Sequence, residues 1–164
     1  MVPYRIIAVD PGYGRIGIAV LEKDSDKETL IFSECYETSA ETKHPERLQN
    51  LQKRLCELLK EYHPSALALE TLFFSKNKKT ALAVAEARGV ILSEAAASGI
   101  AVFEYQPAAV KIAVTGYGHS DKKQIQEMVV KILNLTKVIS RDDEYDAIAV
   151  GLTHLASYRA NVTK

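Results

Sequence analysis

Ile6-Ile7-Ala8-Val9-Asp10-Pro11-Gly12-Tyr13-Gly14 carries four apolar residues straight into an aspartate and then a Pro-Gly turn. A run this apolar and β-branched predicts a buried strand. An acid where such a strand stops is costly to bury unless something pairs with it. In open α/β sheets, ligands gather at the carboxyl ends of the strands. Taken alone, Asp10 reads equally well as a turn residue. Further along, Ala66-Leu67-Ala68-Leu69-Glu70 repeats the phrase: a short apolar strand that ends on an acid. Between the two, residues 45–62 predict a helix, with Leu48, Leu51, Leu55, Leu58 and Tyr62 at three- and four-residue spacing and Lys and Arg opposite. Pro45 suits its first turn. A crossover helix makes the flanking strands parallel, so Glu70 should reach the same sheet edge as Asp10.

The rest of the chain extends this unit. Residues 15–21 and 29–38 read as two more strands in antiparallel hairpins, separated by a polar turn over 22–28. Gly12-Tyr13-Gly14-Arg15-Ile16-Gly17 spells G-x-G-x-x-G, and Glu34 stands where a ribose acid belongs. That motif requires a helix to begin at the glycines. Here they lead into a β-branched run, which excludes a dinucleotide site. Residues 77–98 predict a long helix with small side chains at Ala81, Ala85, Gly89, Ala95 and Ala96, a surface for the sheet or for a second copy. Ala101 to Tyr105 is a fifth strand, 107–114 a short helix, and 122–135 an amphipathic helix with Ile125, Met128, Val129, Ile132 and Leu133 as its stripe. The expected fold is α/β, a mixed five-stranded sheet (three antiparallel strands, then two parallel) flanked by helices.

The chain has 164 residues, 47% hydrophobic and 26% charged, which suits one globular domain spanning 1–164. No stretch is long enough to cross a membrane and no signal pattern is visible. Cys35 and Cys56 form no disulfide framework, so a reducing, cytoplasmic setting is expected, with both as small core residues. The formal net charge of +0 makes the layout of charge matter more than its sum.

The last helix opens at Ser140-Arg141-Asp142-Asp143-Glu144-Tyr145-Asp146. Asp143 and Asp146 are three apart and share a face. A capping box from Ser140 accounts for Asp143 but not for Asp146. Asp10, Glu70, Asp143 and Asp146 thus form a candidate cluster of carboxylates alone. Such a set suits Mg²⁺ or Mn²⁺, and no Cys/His pattern suggests zinc. Two divalent ions about 4 Å apart can drive phosphodiester hydrolysis. Two bound ions would take the protein from a formal +0 to +4. Residues 71–88 are locally basic, with Lys76, Lys78, Lys79 and Arg88 against Glu86, and Lys122-Lys123 adds to this. Positive flanks around a metal site suit a polyanion.

Asp10-Pro11-Gly12 with Gly17, the block from Glu70 through Phe73-Phe74-Ser75-Lys76-Asn77, Ala87-Arg88-Gly89, Val102-Phe103-Glu104-Tyr105, Lys122-x-Gln124-x-Gln126-x-Met128-Val129 and Asp143-x-x-Asp146-Ala147 together resemble the RuvC-type Holliday junction resolvases, in order over nearly the whole chain. The resemblance implies a ribonuclease H-like nuclease domain and a homodimer. It implies paired, symmetric, Mg²⁺-dependent nicking of four-way DNA junctions, with two ions per active site and Mn²⁺ as a substitute. It implies Asp10, Glu70, Asp143 and Asp146 as metal ligands and catalytic residues. Phe73 matches an aromatic that reaches into the junction, Lys122 a basic residue at the scissile strand, and the family's partners are the RuvA–RuvB branch-migration proteins. Tyr13 departs from a small polar residue common at its place. Glu144-Tyr145 fills a spacer that is often alanine-rich, and Glu144 is one more acid beside the metal ligands.

The sequence has three rival readings. A related ribonuclease H-like nuclease that processes ribosomal RNA shares the fold, but the Phe73-Phe74 and Lys76-Asn77 block favours the junction resolvase. Sugar-kinase and actin-like ATPases need two such lobes. A DNA-binding module without catalysis would leave the carboxylates idle. His119 reads as a solvated loop residue that could assist at the scissile phosphate, and His154 as structural.

Overall fold

Both acid-terminated runs are strands, and they are neighbours. The computed structural model describes residues 3–25, 27–71, 78–136 and 139–158, with only the backbone at 78 and 79. Its elements in chain order are β1 (Tyr4–Asp10), β2 (Arg15–Asp24), β3 (Lys27–Glu37), α1 (His44–Tyr62), β4 (Ala66–Glu70), α2 (Lys78–Ala97), β5 (Ala101–Tyr105), α3 (Pro107–Thr115), α4 (Lys122–Leu133) and α5 (Asp142–Ser157). One sheet has the order β3-β2-β1-β4-β5. β1, β2 and β3 pair antiparallel, and β4 and β5 are added parallel to β1. This is the expected mixed sheet.

Alternation along the strands sends successive residues to opposite faces, and each face has its own core. Ile7, Val9, Ile18, Val20, Leu67 and Leu69 meet Leu51, Leu55 and Leu58 of α1 and Ala87, Ile91 and Ala95 of α2. On the other face Ile6, Ala8, Ala19, Leu21, Ala66 and Ala68 meet Val110 and Val114 of α3, Ile125 and Val129 of α4, and the apolar side of α5. Four of the six sheet residues on this second face are alanines, so α5 comes down close to the strands. Glycines complete the fit. A Cβ on Gly17 would overlap the Asp143 backbone carbonyl, and one on Gly151 would overlap the Leu21 side chain.

The hairpin is longer than the polar composition of 22–28 suggests. β2 runs to Asp24 and β3 starts at Lys27. Arg5 reaches Glu22 across the β1–β2 ladder at 2.6 Å, and Lys23 reaches Glu28 at 2.9 Å, so the charged residues are cross-strand pairs rather than a loop. α4 ends at Leu133, short of 135, because Asn134 turns left-handed (φ 49°) and caps it. The helix expected over 77–98 runs from Lys78 to Ala97. Its small residues are split: Ala87 and Ala95 face the core, whereas Gly89 and Ala96 are exposed.

His154 is structural, as expected. It is 2% exposed and bonded at Nε2 to the Tyr4 hydroxyl (2.9 Å) and at Nδ1 to the Tyr105 hydroxyl (2.8 Å). Burial lowers its pKa. Cys35 and Cys56, expected in the core, are both only partly buried.

The contact at Gly17 yields a prediction. Gly17→Ala should lose about 1–3 kcal/mol of stability in urea denaturation through overpacking against α5. Gly89→Ala, with nothing within 4 Å of the added methyl, should gain up to about 1 kcal/mol from helix propensity. A Gly17→Ala protein as stable as the parent would show that α5 does not rest on β2 there.

Candidate active site

In the β1–β4 ladder Ile6 pairs with Ala66 and Val9 with Leu69, so the next residues, Asp10 and Glu70, end adjacent parallel strands side by side. Their carboxyls come within hydrogen-bonding reach of each other. Burial, and after it the charges of Glu70, Asp146 and Asp143, push Asp10 well above the usual carboxylate range. Burial also raises Glu70. The pair therefore favours holding a proton.

The other two carboxylates arrive on the first turn of α5. The expected cap does not form. The residue ahead of the helix is Arg141, in extended conformation and making no side-chain cap, so neither Ser140 nor Asp143 closes a capping box. The Asp143 carboxylate instead lies 3.4 Å from Arg15 Nε and accepts the Cys35 thiol at 3.8 Å. Burial first and Asp143 second push that thiol up to about 11, so Cys35 stays protonated at neutral pH. Asp146 lies 3.3 Å from Lys122 Nζ, and Asp142 lies 3.9 Å from it. Burial alone would lower the Lys122 pKa, but these carboxylates outweigh it and hold the ammonium above its usual value. Asp146 is raised by burial against the opposing pull of Lys122.

Lys122 is placed by a capping box: Asp121 accepts the Gln124 N–H at 2.9 Å, and the Gln124 side chain accepts the Asp121 N–H at 3.0 Å. Beyond β1, Arg47 is 6% exposed, stacks 3.7 Å from the Tyr13 ring centre and donates to the Tyr13 carbonyl at 2.9 Å. Through Tyr13, Arg47 thus clamps the turn that follows Asp10.

Two sequence expectations change here. Glu144, read as one more acid beside the metal ligands, turns to β3 and accepts the Ser33 hydroxyl at 2.9 Å. Arg88, counted in the basic flank, is tied inward: it donates to the Glu70 carbonyl at 3.3 Å and pairs with Glu104. It braces the end of β4. Phe73, Phe74 and Lys76 lie outside the described residues, as do the side chains of Lys78 and Lys79. Arg15 and Cys35 escaped the sequence reading, because only the descent of α5 onto β2 brings them to Asp143.

The donor set is all oxygen and anionic, which fits a hard divalent cation. Among the described residues, no three His, Cys, Asp or Glu side chains are gathered tightly enough to enclose an ion. The carboxylates are held in pairs instead, Asp10 with Glu70, Asp143 with Arg15, Asp146 with Lys122. A cation entering here would meet the Asp10–Glu70 pair and take the places of the two basic side chains.

The family model for the crossover junction endodeoxyribonuclease RuvC matches residues 6–154. The chain belongs to the RuvC family. A RuvC from Thermosipho melanesiensis is 49% identical over 146 residues, covering 89% of this chain and 93% of that protein. One from Roseiflexus is 46% identical over 154 residues, covering 94% and 92%. The structure of Thermus thermophilus RuvC in complex with Holliday junction substrate matches with a TM-score of 0.88 at 32% identity, covering 94% of each chain. The ribonuclease H-like fold implied by the sequence is the fold observed.

The Asp10–Glu70 pair sets a pH dependence. Both carboxyls have raised pKa values in the folded chain. The stability tied to their proton is full below the unfolded value of about 4 and is lost as pH rises through the folded values. Asp10→Asn removes the charge at little change in volume. Without divalent cations, this variant should melt above the parent at about pH 8, by about 2–4 °C for each kcal/mol relieved, with the gap closing toward pH 4. A variant that melts lower at pH 8 in chelator would contradict the assignment.

Proposed function

We propose that this chain is a structure-specific endonuclease that resolves four-way DNA junctions by paired, symmetric nicks. The observation that carries the reading is the meeting of Asp10, Glu70, Asp143 and Asp146 at one end of the sheet, beside Lys122, in a member of the RuvC family. These carboxylates would hold two Mg²⁺ ions, with Mn²⁺ as a substitute. When bound, such ions activate a water and stabilise the leaving oxygen of a phosphodiester. Lys122 is the protein's own cation at this point. Its side chain is 65% exposed and already reaches the acids, so it can pass to a phosphate of the bound strand once a metal ion takes Asp146. Lys76, Lys78 and Lys79 would add phosphate contacts, and Phe73 would be the aromatic that enters the junction.

Symmetric cutting needs two sites, which a C₂ dimer supplies. Leu82, Gly89, Ser93 and Ala96 are exposed along one side of α2, with Leu82 at 72%. They form the proposed dimer face. The working assembly would be cytoplasmic, with RuvA–RuvB as partners. Among the described residues, no helix is long and apolar enough to cross a membrane.

The test compares a synthetic four-way junction with linear duplex, with and without Mg²⁺. The wild type should bind the junction preferentially and nick it only with the ion. Glu70→Gln and Asp146→Asn should keep folding and junction binding while nicking falls to background. Lys122→Ala should also reduce the salt slope of log K by about 0.9. Nicking at the parental rate by Glu70→Gln or Asp146→Asn would remove that residue from the site, and cutting of duplex and junction alike would overturn the substrate assignment.

A further inference from the structure

The loop between α3 and α4, residues 116–120, is built as a rigid mount. Gly116 ends α3 in the left-handed region (φ 77°) with its N–H on the Ile112 carbonyl at 2.8 Å. The Thr115 hydroxyl donates to the Lys111 carbonyl at 2.8 Å and accepts the Tyr117 N–H at 3.1 Å. Ser120, 2% exposed, sets its hydroxyl between the Thr115 hydroxyl (2.5 Å) and the Tyr117 carbonyl (2.7 Å). The next residue is Asp121, the cap of α4, and then comes Lys122, which reaches Asp146. The orientation of this loop relative to the acids is therefore fixed.

The fold does not use what the mount holds up. Tyr117 is 60% exposed, and its ring stands 5.5 Å from that of His119, tilted by 59°. Ile112, 56% exposed, lies beside them against Gly118. The surroundings are cationic: residues 107–123 hold Lys111, Lys122 and Lys123 against Asp121. A protein partner would need a broader apolar patch. Exposed rings on a rigid backbone, framed by lysines, match what a nucleic-acid strand offers, a π-face on each base and a phosphate between bases.

We infer that the Tyr117 ring, propped by the tilted ring of His119, is a stacking platform for an unpaired base of the strand that enters the carboxylate site. The two rings are strand-positioning residues. Their contact tolerates any sequence, because every base presents a π-face. The inference rests on the proposed junction-cutting activity and assigns new residues to it.

The test uses the full chain, a synthetic four-way junction in chelator, and 2-aminopurine placed singly at each nucleotide around the cut step. In the wild type, binding should quench the probe at one nucleotide. Tyr117→Ala should keep the parental melting temperature, lose that quench and weaken junction binding about 5- to 150-fold. Tyr117→Phe should restore both binding and quench, which a merely structural loop residue would not do. His119→Ala should show a smaller loss of the same kind. If the wild type binds and Tyr117→Ala binds equally, or keeps the quench, or Phe fails as badly as Ala, this inference alone falls. A wild type that binds junction no better than duplex overturns the functional reading along with it.

Discussion

Parallel pairing of β1 with β4 forces two carboxylates, Asp10 and Glu70, to the same end of the sheet. Nothing about the pairing is adjustable, because the register follows from the interleaved apolar residues of Ile6–Val9 and Ala66–Leu69 packing on both faces. The rest of the site answers that constraint. Like charges this close favour a shared proton or a nearby cation; Lys122, from a capped α4, pairs with Asp146 and lowers Glu70 against the rise from burial, and Arg15, from the start of β2, pairs with Asp143. Arg88 meanwhile braces the Glu70 backbone from α2. The same excess of negative charge that burdens the fold would suit the place to divalent ions.

Close packing completes the set. α5 can bring Asp143 and Asp146 down to the strand ends because the sheet beneath it offers Ala8, Ala19, Ala66 and Ala68, and because Gly17 leaves room for the Asp143 carbonyl. A bulkier floor would lift the helix and separate the two pairs of acids. Packing on this face thus sets the geometry of the chemistry, and the side chains that touch the acids (Arg15, Cys35, Lys122) come from three separate elements.

Much of this was legible in the sequence, where the signal was local. An apolar run that stops on an acid is readable in place, and its repetition after one helix implied a shared sheet edge. The antiparallel hairpins follow from the short spacing between apolar runs, α1 and α4 from their apolar stripes, and α2 from a long stretch rich in Ala and Gly. What stayed hidden depends on distant neighbours. Arg15 and Cys35 meet Asp143 only because α5 lands on β2. Arg88 sits in a basic stretch of sequence yet turns inward, since a run of charge does not name its partner. Ser140 has the spacing of a cap, but the helix begins one residue later than that pattern requires, which frees Asp143 for the site. The hairpin was underestimated because Glu22, Lys23 and Glu28 read as turn residues until their cross-strand partners are known.

We propose that the four carboxylates, Asp10 and Glu70 foremost, form one site that takes up divalent cations in place of its basic side chains. Titration calorimetry of Mg²⁺ and Mn²⁺ in two buffers of different ionisation enthalpy tests it most directly, because cations that displace a carboxyl proton release it to the buffer. Cation binding should release protons, more of them as the pH is lowered toward the raised carboxyl values, and Asp10→Asn should lose both binding and release. Binding with no proton release, or binding and release undiminished in Asp10→Asn, would contradict it.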